Sequence, residues 1–307
     1  MVGLPDFEWA ARHHMNESTY NQYRYGAAGE WSYRNNLEVY QRFRFRPRVM
    51  VDITGIESTM NTTILGHNFS SPIFISPCAM AALTHPDAES SLVEAAANQS
   101  ILYINEALFR RIEDNGFKAM VLTVDSAGDR TRHRALRYVP DTTVVRDVAY
   151  RRMTWDFYQE LQNLTSLPII PKGIQTVEDA RRAVDAGAPA IFLSNHGGRA
   201  LDGSPSALEV AIEIHEEDPS IFREIEVYAD GGVRYGTDVL KLLALGVRAV
   251  GVGRPMMFAN VYGMEGVSRA IHLLKAEIAS AAAGLGVADL AAIDSRSVKL
   301  RPNGWYS

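Results

Sequence analysis

The 307-residue chain has one cysteine, no long apolar run, no low-complexity or Pro/Ser-rich linker and no excess of positive charge. Each absence excludes something. With Cys78 alone, no intramolecular disulfide can form and no zinc site can be built from cysteines. Cys78 ends the apolar run of "FISPCAM" with no histidine near it in sequence, so it reads as a small buried filler rather than a reactive thiol. No stretch reaches the roughly eighteen apolar residues of a membrane span. The N-terminus "MVGLPDFEWAARHH" lacks the apolar core of a secretion signal. A soluble protein of the cytoplasm or an organelle lumen is expected, and the N-x-[ST] triplets at Asn16, Asn61, Asn68, Asn98 and Asn163 read as chance. A net charge of −5 argues against a nucleic-acid partner, so the arginine runs "YQRFRFRPR" (40–48) and "DRTRHRALR" (129–137) read as solvated or anion-facing.

What is present is enough apolar sequence, 47%, to bury a sizeable core in one large domain. Residues 6–48 carry helical spacing without strand alternation, and residues 1–71 read as a helical extension and lead-in to a domain over 72–307. From residue 72 the order is regular. Apolar runs of strand length stand at 72–77, 101–105, 118–125, 167–172, 190–195, 226–230 and 249–253. Helical patterns follow at 86–98, 106–115, 154–163, 176–187, 206–217 and 236–246. Nearly continuous apolar strands alternating with helices mean a parallel sheet covered by helices. So many units favour a closed (β/α)8 barrel of the TIM type, and no G-x-G-x-x-G turn follows the first strand to support a dinucleotide fold. Only seven units can be counted, however, where such a barrel has eight, and the spacing is compressed near residues 98–105. The barrel is expected to be shortened near its second strand.

In such barrels the site forms at the C-terminal ends of the strands. The polar and glycine residues there are Cys78, Thr123, Asp125, Lys172, Ser194, His196, Arg199, Asp230, Arg234, Gly253 and Arg254. "DGGVRYG" and "GVGRP", in the last two units, supply glycine amides, helix starts and two arginines, which suits a phosphate and implies a phosphorylated cofactor or substrate. Lys172 ends an apolar strand, and a cation there could stabilise a reduced flavin ring or form a Schiff base. "NHGGR" sets His196 beside Arg199, a pairing that fits a general base next to a carboxylate clamp. Asp125 could orient the imidazole.

The stretches "SNHGGRALDG", "LPIIPKGIQTVEDARRAVDAG" and "YADGGVRYGTDVLKLLALGVRAVGVGRPMM" closely resemble the FMN-dependent 2-hydroxy-acid oxidising family. That family includes glycolate oxidase, lactate oxidase, lactate monooxygenase, mandelate dehydrogenase and the flavin domain of haem-linked lactate dehydrogenases. The likeness extends upstream through "FRPRVMVDITGIESTMNTTILG" and "SPIFISPCAMAALTHPDAE". It implies oxidation of an L-2-hydroxy acid to a 2-oxo acid, with oxygen or a separate carrier accepting the electrons, and a homotetramer. By the same resemblance His196 is the base, Asp125 its partner, Arg132 and Arg199 the carboxylate clamp, and Lys172 the cation beside the flavin. Pro77, Cys78, Ala79, Thr123 and Ser194 match flavin contacts. Asp230, Gly231, Gly232, Arg234, Gly253 and Arg254 match ribityl and phosphate contacts, and Tyr103 the pocket tyrosine. Gln22 stands where the family has a second substrate tyrosine, with Tyr23 adjacent, and the family's second strand is absent before "LY". A flavin-binding relative without turnover is therefore a second reading. A flavin barrel isomerase is a third, against which the "NHGGR" pair argues.

Overall fold

In the computed structural model, residues 1–104, 117–126, 132–138 and 153–300 are described, so the helix expected at 106–115 and residues 129–131 of the second arginine run lie outside them. Seven strands, β1 (Ile73–Ile75), β2 (Leu102–Tyr103), β3 (Met120–Thr123), β4 (Ile169–Ile174), β5 (Ala190–Leu193), β6 (Glu226–Asp230) and β7 (Ala249–Val252), form one sheet. Its order is β2-β1-β7-β6-β5-β4-β3, and every neighbouring pair is parallel. The sheet curls without closing among the described residues. Among the described residues β2 and β3 are its two ends and do not pair with each other. The barrel is shortened, as expected, at the unit whose residues the sequence compresses.

Both faces of the sheet are covered, which is why its strands read as continuous apolar runs rather than alternating ones. Side chains alternate between two layers. Phe74, Ile170, Phe192, Tyr228 and Ala249 point inward into one cluster, while Ile73, Ile75, Ile191, Val227 and Val250 face the helices. Phe74 meets Phe192 and Tyr228 edge-on, with ring centroids 5.3 and 6.2 Å apart. A hairpin of Thr62–Ile64 and His67–Phe69, turned at Leu65 and Gly66 with φ of +47° and +77°, carries buried Ile64 into the same inner cluster. It sits at the end where the strands begin, since the Leu65 amide donates to Glu226 at the start of β6.

Four of the expected helices begin within a residue of where their sequences place them, while the one expected from residue 86 begins at Glu89. α4 spans Glu89–Asn98 and α5 Trp155–Gln162. The Thr176 side chain caps α6 (Val177–Asp185), and Ser206 and Glu209 cap α7 (Ala207–Glu217) reciprocally. α8 (Gly236–Ala244) follows β6, and the six residues of α9 (Arg254–Ala259) follow β7. The last helix, α10 (Gly263–Leu285), packs across α4 and α8. Ahead of the sheet, α1 (Leu4–His14), α2 (Glu17–Arg24) and α3 (Trp31–Arg42) answer the helical spacing of residues 6–48, and Arg44–Phe45 pairs antiparallel with Val298–Lys299. No helix among the described residues is long and apolar enough to cross a membrane.

Phe74 is 1% exposed and touches both inner aromatic rings, so Phe74→Ala should destabilise the protein by about 3–5 kcal/mol. Equilibrium urea unfolding measures this.

Candidate active site

The strand ends converge on a cavity of about 250 Å³. Pro77, Cys78 and Ala79 line it after β1, Lys172 from β4, His196 and Arg199 after β5, and Arg132 from beyond β3. Asp230 to Gly232 with Arg234 contribute after β6, Gly253 with Arg254 after β7, and Gln22 with Tyr23 from α2. Asp125, Ser194 and Thr123 are not in its lining, but Asp125 and Ser194 bond to the lining residues His196 and Lys172, and Thr123 is level with Lys172 on the neighbouring strand. Tyr103 is elsewhere. It lies level with Ile75 in the register of β1 and β2, below the rim that Pro77 reaches, and lines a separate apolar cavity.

Lys172 is 3% exposed and belongs to a bulge, since β4 pairs with β5 at Lys172 and again at Ile174 with a shift between. A buried ammonium needs compensation. Its Nζ donates to Ser194 Oγ at 2.9 Å, Ser194 Oγ donates to Asp230 Oδ1 at 2.6 Å, and the Asp230 carboxylate lies 3.7 Å from the ammonium. The ends of β4, β5 and β6 are thereby joined in one polar chain. The bulge residue Gly173 has φ +113°, and a Cβ there would stand 2.6 Å from the Cβ of Asp125. Only glycine lets Asp125 approach so closely.

Asp125 uses that space. Its fully buried carboxylate meets His196 Nδ1 at 3.0 Å, fixing the ring's orientation. His196, Gly197 and Gly198 are successive left-handed residues with φ of +59°, +64° and +71°, a turn unfavourable for histidine that needs outside support. Arg132 and Arg199 arrive from different loops and donate to the same atom, the Gln22 carbonyl oxygen, at 2.9 and 3.2 Å. Two guanidiniums meeting at one oxygen make a focus of positive charge of carboxylate size. The Tyr23 hydroxyl donates to Met80 O at 2.5 Å, and burial pushes its pKa up. Burial also pushes the Cys78 thiol up, to about 11.

Arg254 shows what the cavity is built to hold. Its Nε and Nη1 donate to the carbonyls of Tyr23 and Gly197 at 2.8 and 2.9 Å, while its buried Nη2 has no hydrogen-bond partner among the described residues. Burial first, and then the nearby Arg199 and Arg234, push the guanidinium down to about 9. An anion at Nη2 would satisfy the nitrogen and offset the repulsion. Three residues near the site carry no signal in the sequence that singles them out. Asn36 and Tyr40 of α3 bond to Asn195 and to the Gly231 carbonyl, and Glu30 accepts from the Gly26 amide and from Arg134. Only a polar pair at i and i+4 on the buried face of a helix could have signalled the first two.

Fold and site together define a parallel α/β barrel protein with glycine turns and two arginines after its last two strands and a carboxylate-held imidazole lining the same cavity. The profile of the FMN-dependent dehydrogenase family matches residues 11–108 and 138–300, and the chain belongs to that family. Glycolate oxidase 1 of Oryza sativa subsp. indica is 34% identical over 352 positions, covering 95% of this chain and 94% of the relative. L-lactate oxidase of Nostoc sp. is 32% identical, covering 97% and 98%. Among solved structures, a flavocytochrome b2 variant with benzoylformate superposes with a TM-score of 0.91 at 28% identity, covering all of this chain and 88% of the other. A mandelate oxidase variant with (S)-mandelic acid gives 0.88 at 32% identity, covering 99% of both. The rice alignment exceeds the chain's 307 residues in length, so that relative carries positions this chain lacks. The chain is an FMN-dependent enzyme of the 2-hydroxy-acid oxidase and dehydrogenase type, and the unsatisfied Arg254 nitrogen fits the phosphate of its cofactor.

Arg254→Leu should weaken FMN binding about 10- to 100-fold, the worth of one charge-assisted contact of about 1.5–3 kcal/mol, read by flavin fluorescence on titrating apoprotein. With its thiol at about 11, Cys78 should be nearly inert to iodoacetamide at pH 8, its alkylation rate rising about tenfold per pH unit towards that value. Mass spectrometry across a pH series checks the slope.

Proposed function

We propose that this protein oxidises an L-2-hydroxy acid of the lactate, glycolate or mandelate kind to the 2-oxo acid, passing electrons to oxygen or a separate acceptor. The observation that carries this reading is the meeting, around one cavity, of the His196–Asp125 pair and the Arg132–Arg199 pair. The two guanidiniums take the substrate carboxylate in place of the Gln22 carbonyl oxygen, which they share. That anchors one end of the substrate and turns its hydroxyl-bearing carbon towards His196. With Nδ1 committed to Asp125, Nε2 is the imidazole nitrogen that removes the proton, and the Asp125 carboxylate stabilises the imidazolium that results. Bound FMN supplies the two-electron acceptor. Lys172 would lie beside the flavin ring, where its ammonium offsets the negative charge of reduction, with Ser194 and Asp230 holding it in place. Asp230, hydrogen-bonded within this buried chain, fits the cation role for Lys172 better than a Schiff base.

The residues after β1, Pro77 to Ala79, would contact the ring, as would Thr123, which is level with Lys172 in the register of β3 and β4. Gly231, Gly232, Arg234, Gly253 and Arg254 would take the ribityl and phosphate end. Tyr103 has no part in this reading, and Tyr23 contributes shape, its hydroxyl being held by Met80. One observation favours a second reading, a flavin-binding relative without turnover: β2 and β3 end the sheet without pairing to each other among the described residues.

Anaerobic addition of lactate, glycolate or mandelate to the yellow holoprotein should bleach it, and a yellow protein that no 2-hydroxy acid bleaches supports the second reading instead. His196→Ala should keep its flavin and reduce it about 10²–10⁴-fold more slowly. Reduction within a few-fold of the parent rate would refute the assignment of the base.

A further inference from the structure

The left-handed turn at His196, Gly197 and Gly198 has a brace that comes from outside the sheet. Asn195, the residue before it, is 1% exposed, and Asn36 on α3 is 2% exposed. Their amides bond reciprocally: Asn36 Nδ2 donates to Asn195 Oδ1 at 2.7 Å, and Asn195 Nδ2 donates to Asn36 Oδ1 at 2.8 Å. Asn195 Oδ1 also accepts from the Gly198 amide at 3.0 Å, and Asn195 Nδ2 donates to the Pro205 carbonyl at 2.9 Å. The amide that closes the strained turn is thus itself held by Asn36, with its carboxamide donor and acceptor capacity in use.

The same stretch of α3 reaches the turn after β6. A Cβ on Gly232, whose φ is +81°, would stand 1.8 Å from the Asn36 carbonyl oxygen, so backbone meets backbone there. The Tyr40 hydroxyl, one helical turn on, donates to the Gly231 carbonyl at 3.0 Å. One buried helical turn therefore touches both the loop of the base and the loop of the cofactor's phosphate end.

We propose that Asn36 is a positioning residue for the reaction: through Asn195 it holds His196 in the left-handed conformation that keeps its ring on Asp125 and at the cavity. It touches neither substrate nor flavin in this scheme. The inference rests on the assignment of His196 as the base. In Asn36→Ala, Asn195 Oδ1 loses one of its two donors and the turn relaxes towards the conformations histidine prefers. A displacement of the base of about 1 Å is enough to cost on the order of 10²-fold in rate.

The test uses the holoprotein and three measurements on the parent, Asn36→Ala and Asn35→Ala. Asn35 is the neighbouring control, its side chain donating to Glu209 away from the cavity. Expected for Asn36→Ala are a 10- to 100-fold slower anaerobic reduction per bound flavin and a KM within threefold of the parent. Hydrogen exchange of the peptide 194–199 should be at least tenfold faster. Asn35→Ala should match the parent in all three. A reduction rate per bound flavin within twofold of the parent, or unchanged exchange at 194–199, would overturn the proposal. Should Asn36→Ala not fold, Asn36→Asp keeps the volume while setting an oxygen against Asn195 Oδ1, and the same outcomes decide. A parent that no 2-hydroxy acid reduces refutes the proposed reaction, and exchange at 194–199 then decides the bracing of the loop by itself.

Discussion

A lysine in the interior has to be compensated, and meeting that requirement at Lys172 organises the rim of the barrel. The Ser194 hydroxyl takes its hydrogen bond and passes one on to Asp230, so three adjacent strands end in one buried polar chain. The His196 amide also donates to Ser194 Oγ, at 3.0 Å, which hangs the His196 loop on the same hydroxyl. An unpaired charge at such depth would be strongly destabilising. The relative heights of β4, β5 and β6 are therefore fixed at the rim of the cavity.

Around that chain the protein distributes positive charge by position. Arg132 and Arg199 converge on one oxygen, Arg254 crosses behind the His196 turn to reach Gly197 O, and Lys172 occupies the centre. Burial, and then Arg199 and Arg234, depress Arg254, so the cluster repels itself and an anion beside it would offset that repulsion. In the proposed reaction the phosphate of the cofactor and the carboxylate of the substrate would supply one each.

Much of this was legible in the sequence, because in a parallel barrel each strand is a short apolar run and the residues that follow it share one rim. All seven runs became strands, and the missing unit announced itself as compressed spacing near residues 98–105. "NHGGR" and "DGGVRYG" identified themselves as strand ends, and the structure brings their residues to one cavity. Tyr103 departs from its expected place for a geometric reason: it is level with Ile75, two residues below Pro77 on the neighbouring strand, and so stops short of the rim. The Asn36–Asn195 pair was invisible because 159 residues separate its members and an asparagine in an amphipathic helix looks like any other polar residue. The bulge at Gly173 was equally hidden, since its cause, the nearness of Asp125, exists only in three dimensions.

The strand pairing of Arg44–Phe45 with Val298–Lys299 looks peripheral, but its neighbours make it otherwise. The Lys241 ammonium lies over the Phe45 ring at 5.0 Å and donates to the Tyr40 carbonyl at 2.6 Å, and Tyr40 in turn holds Gly231. The far end of the described chain is thereby moored, through four successive contacts, to the glycine turn after β6. A protease that nicked the chain just ahead of residue 298 would cut a guy-line rather than trim an ornament.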